Sequence, residues 1–369
     1  MDASDKNDRR RFRALGLMSG TSMDGVDAAL IETDGTRVFA HGAARTDAYD
    51  GAFRDLLRAA KGREPGPADG ALIRDLTERH AESVRRLLAE AGLAPAQVDV
   101  IGFHGHTVLH EPGRRITRQI GDGRLLAELT GIPVVNDFRA RDVAGGGEGA
   151  PLAPLYHAAQ AADLERPLAV LNIGGVANVT WLGGAGEIVA FDTGPGNALL
   201  DDWVRRAIGR AMDEDGRLAR AGRVDEAALA GLLADPYFHR PPPKSLDRDH
   251  FAAMTARAVK DLSPADGAAT LARFTAESVV RARAHFPAPP RRWLVCGGGR
   301  KNGYLMAVLA AVLDEEISPV EAVGWRGDAL EAEAFAFLAV RSLKGLPLSL
   351  PSTTGVPAPC TGGVLHRSG

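Results

Sequence analysis

The chain has 369 residues, 45% hydrophobic and 25% charged, with a formal net charge of −3. That length implies about two domains, and the composition is globular rather than disordered. A charge so near balance gives no reason to expect nucleic acid or an acidic membrane as partner. Two cysteines, Cys296 and Cys360, exclude a disulfide framework and a cysteine-rich metal site. No apolar run approaches the roughly eighteen residues of a membrane span, so a cytoplasmic protein is expected.

Residues 1–14 read as a solvated basic tail, ending in Arg9-Arg10-Arg11-Phe12-Arg13 and lacking the apolar core of a signal peptide. The apolar runs Ala14–Met18 and Val26–Ile31 then flank a short polar turn, which predicts a strand, a tight turn and an antiparallel strand. Gly20 and Gly25 let backbone N–H groups approach an anion, and Ser19, Thr21 and Ser22 add hydroxyls. Asp24 and Asp27 would repel a phosphate, so one of them is expected to face a divalent cation or a phosphate-bound water. The turn is not a Walker loop. An ordinary hairpin with polar decoration remains the alternative.

Helices are predicted over 52–60 and 71–92, the second with an apolar stripe of Leu72, Leu76, Val84, Leu87 and Leu88. Val98–Phe103 reads as a strand delivering His104-Gly105-His106-Thr107 to a loop at its C-terminal end, where ligands collect in open α/β sheets. Ile132–Val135 is a second strand, ending in Asn136-Asp137-Phe138-Arg139. Gly145–Gly149 has nothing to pack, and a hinge there would divide a lobe of 15–148 from a lobe of 149–369. Lobe closure on ligand is expected from it.

A second hairpin follows: Leu168–Ile173, the turn Gly174-Gly175, and Val176–Leu182. Phe191-Asp192-Thr193-Gly194-Pro195-Gly196-Asn197 places a carboxylate at a strand end before a rigid turn. Pro236 to Asp249, with Pro241-Pro242-Pro243-Lys244-Ser245, should be an ordered irregular loop. A third glycine turn, Cys296-Gly297-Gly298-Gly299, joins the strand Trp293–Val295 to a helix near Leu305–Leu309. A late helix covers 328–343 and carries Glu331 and Glu333. Two hairpins, each opening a run of alternating strands and helices, predict a duplicated, two-lobed α/β fold with an ATP cleft between the lobes. Phosphoryl transfer needs a cation, donors for developing charge and one base, and Asp192 suits the base. Alternatively it caps the turn or the helix starting near Ala198.

These motifs together resemble the anhydro-N-acetylmuramic acid kinase family, within the sugar kinase/Hsp70/actin ATPase superfamily with its ribonuclease H-like lobes. The resemblance runs from about Leu15 to Arg341 and rests on residues 16–27, Gly121-Asp122-Gly123, Asp137-Phe138-Arg139, Gly149–Leu152, Leu171–Gly175, Phe191–Asn197 and Cys296–Asn302. Three departures stand out: His106 where the family has Gln, Glu148 where it has Gln, and Leu246-Asp247 where it has Thr-Gly. The resemblance implies an enzyme that opens the 1,6-anhydro ring of 1,6-anhydro-N-acetylmuramic acid with water and phosphorylates O6 from ATP, in cell-wall recycling. It implies Asp192 as base. It implies a nucleotide and Mg²⁺ site from Gly20, Thr21, Ser22, Met23, Asp24, Gly25, Val26 and Asp27, with Asp24 on the metal. Gly174, Gly175, Gly297, Gly298, Gly299 and Asn302 would hold the rest of the nucleotide, while His104, Arg139 and Glu331 would contact the sugar. Arg139 suits a lactyl carboxylate; an ion pair for Arg139, a structural role for His104 and a solvated helix face for Glu331 are the alternatives. A homodimer stays open. So do a chaperone-like ATPase, an actin-like assembly protein and a kinase for a different amino sugar.

Overall fold

The computed structural model describes residues 10–20 and 22–368. Twelve strands occur among them: β1 (Phe12–Ser19), β2 (Gly25–Thr33), β3 (Val38–Ala48), β4 (Val100–Glu111), β5 (Ile116–Ile120), β6 (Val134–Asn136), β7 (Leu168–Ile173), β8 (Val176–Leu182), β9 (Ile188–Pro195), β10 (Trp293–Cys296), β11 (Ile317–Pro319) and β12 (Val364–His366). They form two sheets, ordered β12-β6-β4-β1-β2-β3, with β5 paired to β4, and β11-β10-β7-β8-β9. In each sheet three strands run as an antiparallel meander, and two more lie parallel to the first strand on its other side. The same topology therefore occurs twice, as the paired hairpins predicted.

The chain divides into a unit of the described residues up to Asp163 together with Ala329 onwards, and a unit of Leu164–Asp328. This corrects the expected boundary at Gly145–Gly149. Two features draw the C-terminal segment back to the first sheet. The helix Leu330–Leu343 packs on β1, β2 and β4, and β12 pairs with β6. The glycine run itself is not loose. The buried carboxylate of Asp142 accepts from Gly149 N–H at 2.7 Å and Thr354 Oγ1 at 2.6 Å, and also from Ser349, while Glu148 N–H donates to the Thr354 carbonyl at 2.6 Å. Backbone groups satisfied in this way have little freedom to act as a hinge.

In the first unit β1 is apolar on both faces because both are covered. On one side Leu15 and Leu17 meet Leu76, Val84 and Leu87 of the helix Gly70–Ala91. On the other, the late helix approaches so closely that a Cβ on Gly16 would lie 1.7 Å from the Ala332 carbonyl oxygen, and one on Gly102 2.0 Å from that of Phe335. In the second unit the core gathers β7–β10 around the helix Pro264–Ala282, with Phe191, Phe274, Trp293 and Leu309 buried. The tail ends earlier than expected: Arg10 bonds Asp99, and Arg13 bonds Glu32. Residues 1–9 lie outside the described residues.

Candidate functional site

In the first unit, β1 and β2 pair from Phe12↔Thr33 to Met18↔Asp27, which leaves Ser19 to Val26 to turn the chain. Thr21 lies outside the described residues. Met23 and Val26 turn their side chains into the core. Gly25 has a packing reason, since a Cβ there would lie 2.2 Å from the Asp47 carbonyl oxygen. Gly20, Ser22 and Asp24 make up the outward part of the turn. Asp24 is exposed and its carbonyl accepts from Tyr49 N–H at 2.9 Å, while Asp27 accepts from the Thr46 hydroxyl at 2.6 Å. Among the described residues no three His, Cys, Asp or Glu side chains are grouped to hold a metal unaided. A single outward carboxylate fits Mg²⁺, which keeps its waters and is usually held by one or two carboxylates plus substrate phosphates.

Ser19 is buried rather than offered to a ligand. Its Oγ accepts from the Tyr49 hydroxyl at 3.0 Å and lies 3.1 Å from His106 Nδ1. His106 stands where the resembled family has Gln, and burial holds its pKa down at about 4. It is a neutral polar partner, as a Gln amide would be.

The expected loop at His104–Thr107 is instead strand. β4 runs on to Glu111 because β5 returns antiparallel beside it, with a bulge where Ser19 pairs His106. His104 is buried against Phe335, with ring centroids 4.5 Å apart. Its Nδ1 donates to the Gly105 carbonyl at 2.9 Å and its Nε2 accepts from Arg139 Nε at 3.0 Å. Burial, then the Arg139 charge, holds its pKa well below the usual histidine value. Arg139 also donates from an Nη to the Gly149 carbonyl at 2.6 Å, so two bonds orient its guanidinium. Beside this pair lies a cavity of about 300 Å³, lined by His104, Gln119, Asn136 and Asp137 among others. Glu331 is exposed on the first turn of the late helix. Glu333 faces inward, accepting from Tyr156 at 2.5 Å and pairing with His41 at 3.1 Å.

In the second unit the three expected motifs converge. The Gly174 carbonyl accepts from Asn197 N–H at 2.7 Å and the Gly175 carbonyl from Gly196 N–H at 3.0 Å. Gly297 has φ of 72°, and a Cβ there would lie 2.3 Å from Asn172 Oδ1. Gly299 packs against Ile173, while Gly298 is exposed. A short 3₁₀ turn, Gly298–Lys301, separates β10 from the helix Gly303–Leu313, and Asn302 caps that helix by accepting from Leu305 N–H at 3.0 Å.

Asp192 is not at a strand end. β9 continues to Pro195, and Asp192 pairs with Asn178 next to a bulge at Thr193. Nor does it cap a helix, because Asn197 occupies that position for the helix Ala198–Ile208. The residue is 6% exposed, and its carboxylate accepts from Leu246 N–H at 2.8 Å. Its own N–H donates to the Lys244 carbonyl at 3.0 Å, and its carbonyl accepts from the Tyr237 hydroxyl at 2.5 Å. The proline loop is thus laced to β9. It is irregular except for the 3₁₀ turn Pro236–His239. The Leu246 departure falls on a residue that serves Asp192 through its backbone, so the changed side chain keeps the donor. Sequence reasoning missed this lacing, and missed Asp142, because neither leaves a periodic signal.

The family model described as anhydro-N-acetylmuramic acid kinase matches residues 12–368. A relative of that description from Rhodospirillum rubrum is 61% identical over 354 residues, covering 95% of this chain and 93% of the relative. Another, from Acidiphilium cryptum, is 58% identical over 363 residues, covering 97% and 99%. Among solved structures, (R)-2-hydroxyglutaryl-CoA dehydratase component A from Acidaminococcus fermentans superposes with a TM-score of 0.47 at 14% identity, covering 89% and 99%. No helix among the described residues is long and apolar enough to cross a membrane.

Proposed function

The chain belongs to the anhydro-N-acetylmuramic acid kinase family, and from that premise we propose how its residues divide the work. The enzyme opens the 1,6-anhydro ring of 1,6-anhydro-N-acetylmuramic acid with water and transfers the γ-phosphoryl group of ATP to O6. The products are N-acetylmuramic acid 6-phosphate and ADP, in the recycling of cell-wall sugars in the cytoplasm. The observation that carries the division is the buried Asp192 carboxylate, held at a strand bulge by the Leu246 N–H.

Asp192 takes a proton from the water that attacks the anomeric carbon. The bond from that carbon to O6 breaks, its electron pair stays on O6, and O6 attacks the γ-phosphorus as the bond to the β-phosphate oxygen breaks. The outward part of the first turn, Gly20 to Asp24, takes the β- and γ-phosphates. Gly174-Gly175 and Gly297-Gly298-Gly299 take the rest of the nucleotide, with Asn302 fixing the glycine turn. Asp24 would hold Mg²⁺, which would neutralise charge on the phosphates. Arg139, held by His104, binds the lactyl carboxylate, and Glu331 contacts the sugar. An ADP-release assay across anhydro and ordinary amino sugars tests the reading. Turnover confined to the anhydro muramic acid is expected, and equal turnover of ordinary amino sugars would replace it with a plain sugar kinase.

A further inference from the structure

Lys244 follows the consecutive prolines Pro241-Pro242-Pro243 of the 236–249 loop and is 3% exposed. A lysine is almost never buried so deeply without a compensating arrangement. Its Nζ donates to the Tyr237 carbonyl at 3.2 Å and stands 4.5 Å from the centre of the Tyr237 ring and 5.7 Å from that of Phe191. Both rings lead to Asp192: Phe191 precedes it in β9, and the Tyr237 hydroxyl bonds its carbonyl. The Lys244 carbonyl takes the Asp192 N–H, and two residues on the Leu246 N–H holds the carboxylate.

The charged and titratable groups that act on this ammonium through space are Asp192 from β9, Arg240 from its own loop and His285 from the 3₁₀ turn Arg283–His285. The Tyr237 phenol completes the set. Resting on the assignment of Asp192 as base, we propose that Lys244 is a positioning residue whose buried ammonium keeps Asp192 a carboxylate and fastens the proline loop to β9. Burial and then Arg240 draw the Lys244 pKa down to about 8, while Asp192 opposes them. Each charge supports the other, so deleting one moves the titration of its partner.

The test uses the whole protein labelled with lysine carrying ¹³C at Cε, since the chain has only six lysines. Lys244→Arg, which keeps the charge and deletes one resonance, assigns Lys244. In the parent this resonance titrates near pH 8, and in Asp192→Asn its midpoint falls by about one pH unit. In Lys244→Met the acidic limb of kcat/KM moves up by about one pH unit and kcat falls roughly tenfold, with sugar KM within twofold. An unmoved lysine midpoint in Asp192→Asn, or an unmoved acidic limb in Lys244→Met, overturns the proposal. Should Lys244→Met not fold, the lysine titration decides alone. Full turnover by Asp192→Asn would instead defeat the assignment of the base, a result independent of the resonance.

Discussion

Arg139 Nε donates to His104 Nε2 across 3.0 Å, a bond that exists only while the imidazole is neutral. With Nδ1–H given to the Gly105 carbonyl, the ring has one tautomer and one lone pair, aimed at the guanidinium. His104→Ala should free the arginine to swing. Sugar KM is expected to rise about tenfold, the loss of roughly one charge-assisted bond, with kcat within threefold. Steady-state kinetics at fixed ATP measure both, and an unchanged KM would detach His104 from sugar binding.

His106 yields a stability prediction with a definite sign. Its folded pKa, about 4, lies below the ordinary 6.5. The unfolded chain therefore binds the proton first as pH falls, and the contribution present above 6.5 is lost between 6.5 and 4. His106→Gln removes that liability. Between pH 7 and pH 5 it should lose about 2 kcal/mol less stability than the parent in urea unfolding. Activity at pH 7.5 should stay within twofold, because a Gln amide can also accept from Ser19.

The hairpins, the glycine turns and the duplicated order were legible because apolar runs and turn residues are local signals. What was lost depended on pairing across distance. β3 alternates exposed and half-buried residues with few large apolar ones, so Val38–Ala48 gives no strand signal by itself. His104–Thr107 looks like a strand end until β5 is seen to extend the ladder. The Gly145–Gly149 run looks like a hinge until Asp142 and the distant Thr354 are found bonded to it. Asp192 was legible as a residue, but its donor came from 54 positions away.

Gly102 tests the packing of the late helix. A Cβ there would lie 2.0 Å from the backbone oxygen of Phe335, which cannot rotate away as a side-chain tip can. Gly102→Ala should destabilise the protein by about 2–4 kcal/mol, through overpacking against a buried helix. Gly131→Ala offers no such clash; its strain comes from a φ of 69° alone, and about 1 kcal/mol is expected. Equal losses in denaturant titrations would refute the close-approach argument.

Asp24→Asn tests the cation. The carboxylate is exposed on the turn, so its charge can be removed without disturbing the core. Circular dichroism should be unchanged. Turnover should fall about a hundredfold at 1 mM Mg²⁺, with partial recovery as Mg²⁺ is raised. Normal turnover at low Mg²⁺ would move the metal elsewhere.

Asp192 separates a hydrolytic kinase from an ordinary one. An ordinary sugar kinase deprotonates a substrate hydroxyl that attacks the γ-phosphate, but O6 of the anhydro sugar is bound in the bridge and carries no proton. The nucleophile must come from outside, and water at the anomeric carbon releases O6 with the electron pair that attack on phosphorus requires. Asp192→Asn keeps an oxygen for the Leu246 N–H, so the loop and fold survive while the base is lost. Turnover should fall by about 10² to 10⁴ with sugar and ATP binding retained. Leu246→Thr, which restores the family residue and keeps the same N–H, should change kcat less than twofold. In ¹⁸O-labelled water the parent should place the label on the anomeric hydroxyl and none in any phosphate group. Label in the phosphate would mean that water attacks phosphorus, and the proton taken by Asp192 would belong to ATP hydrolysis instead.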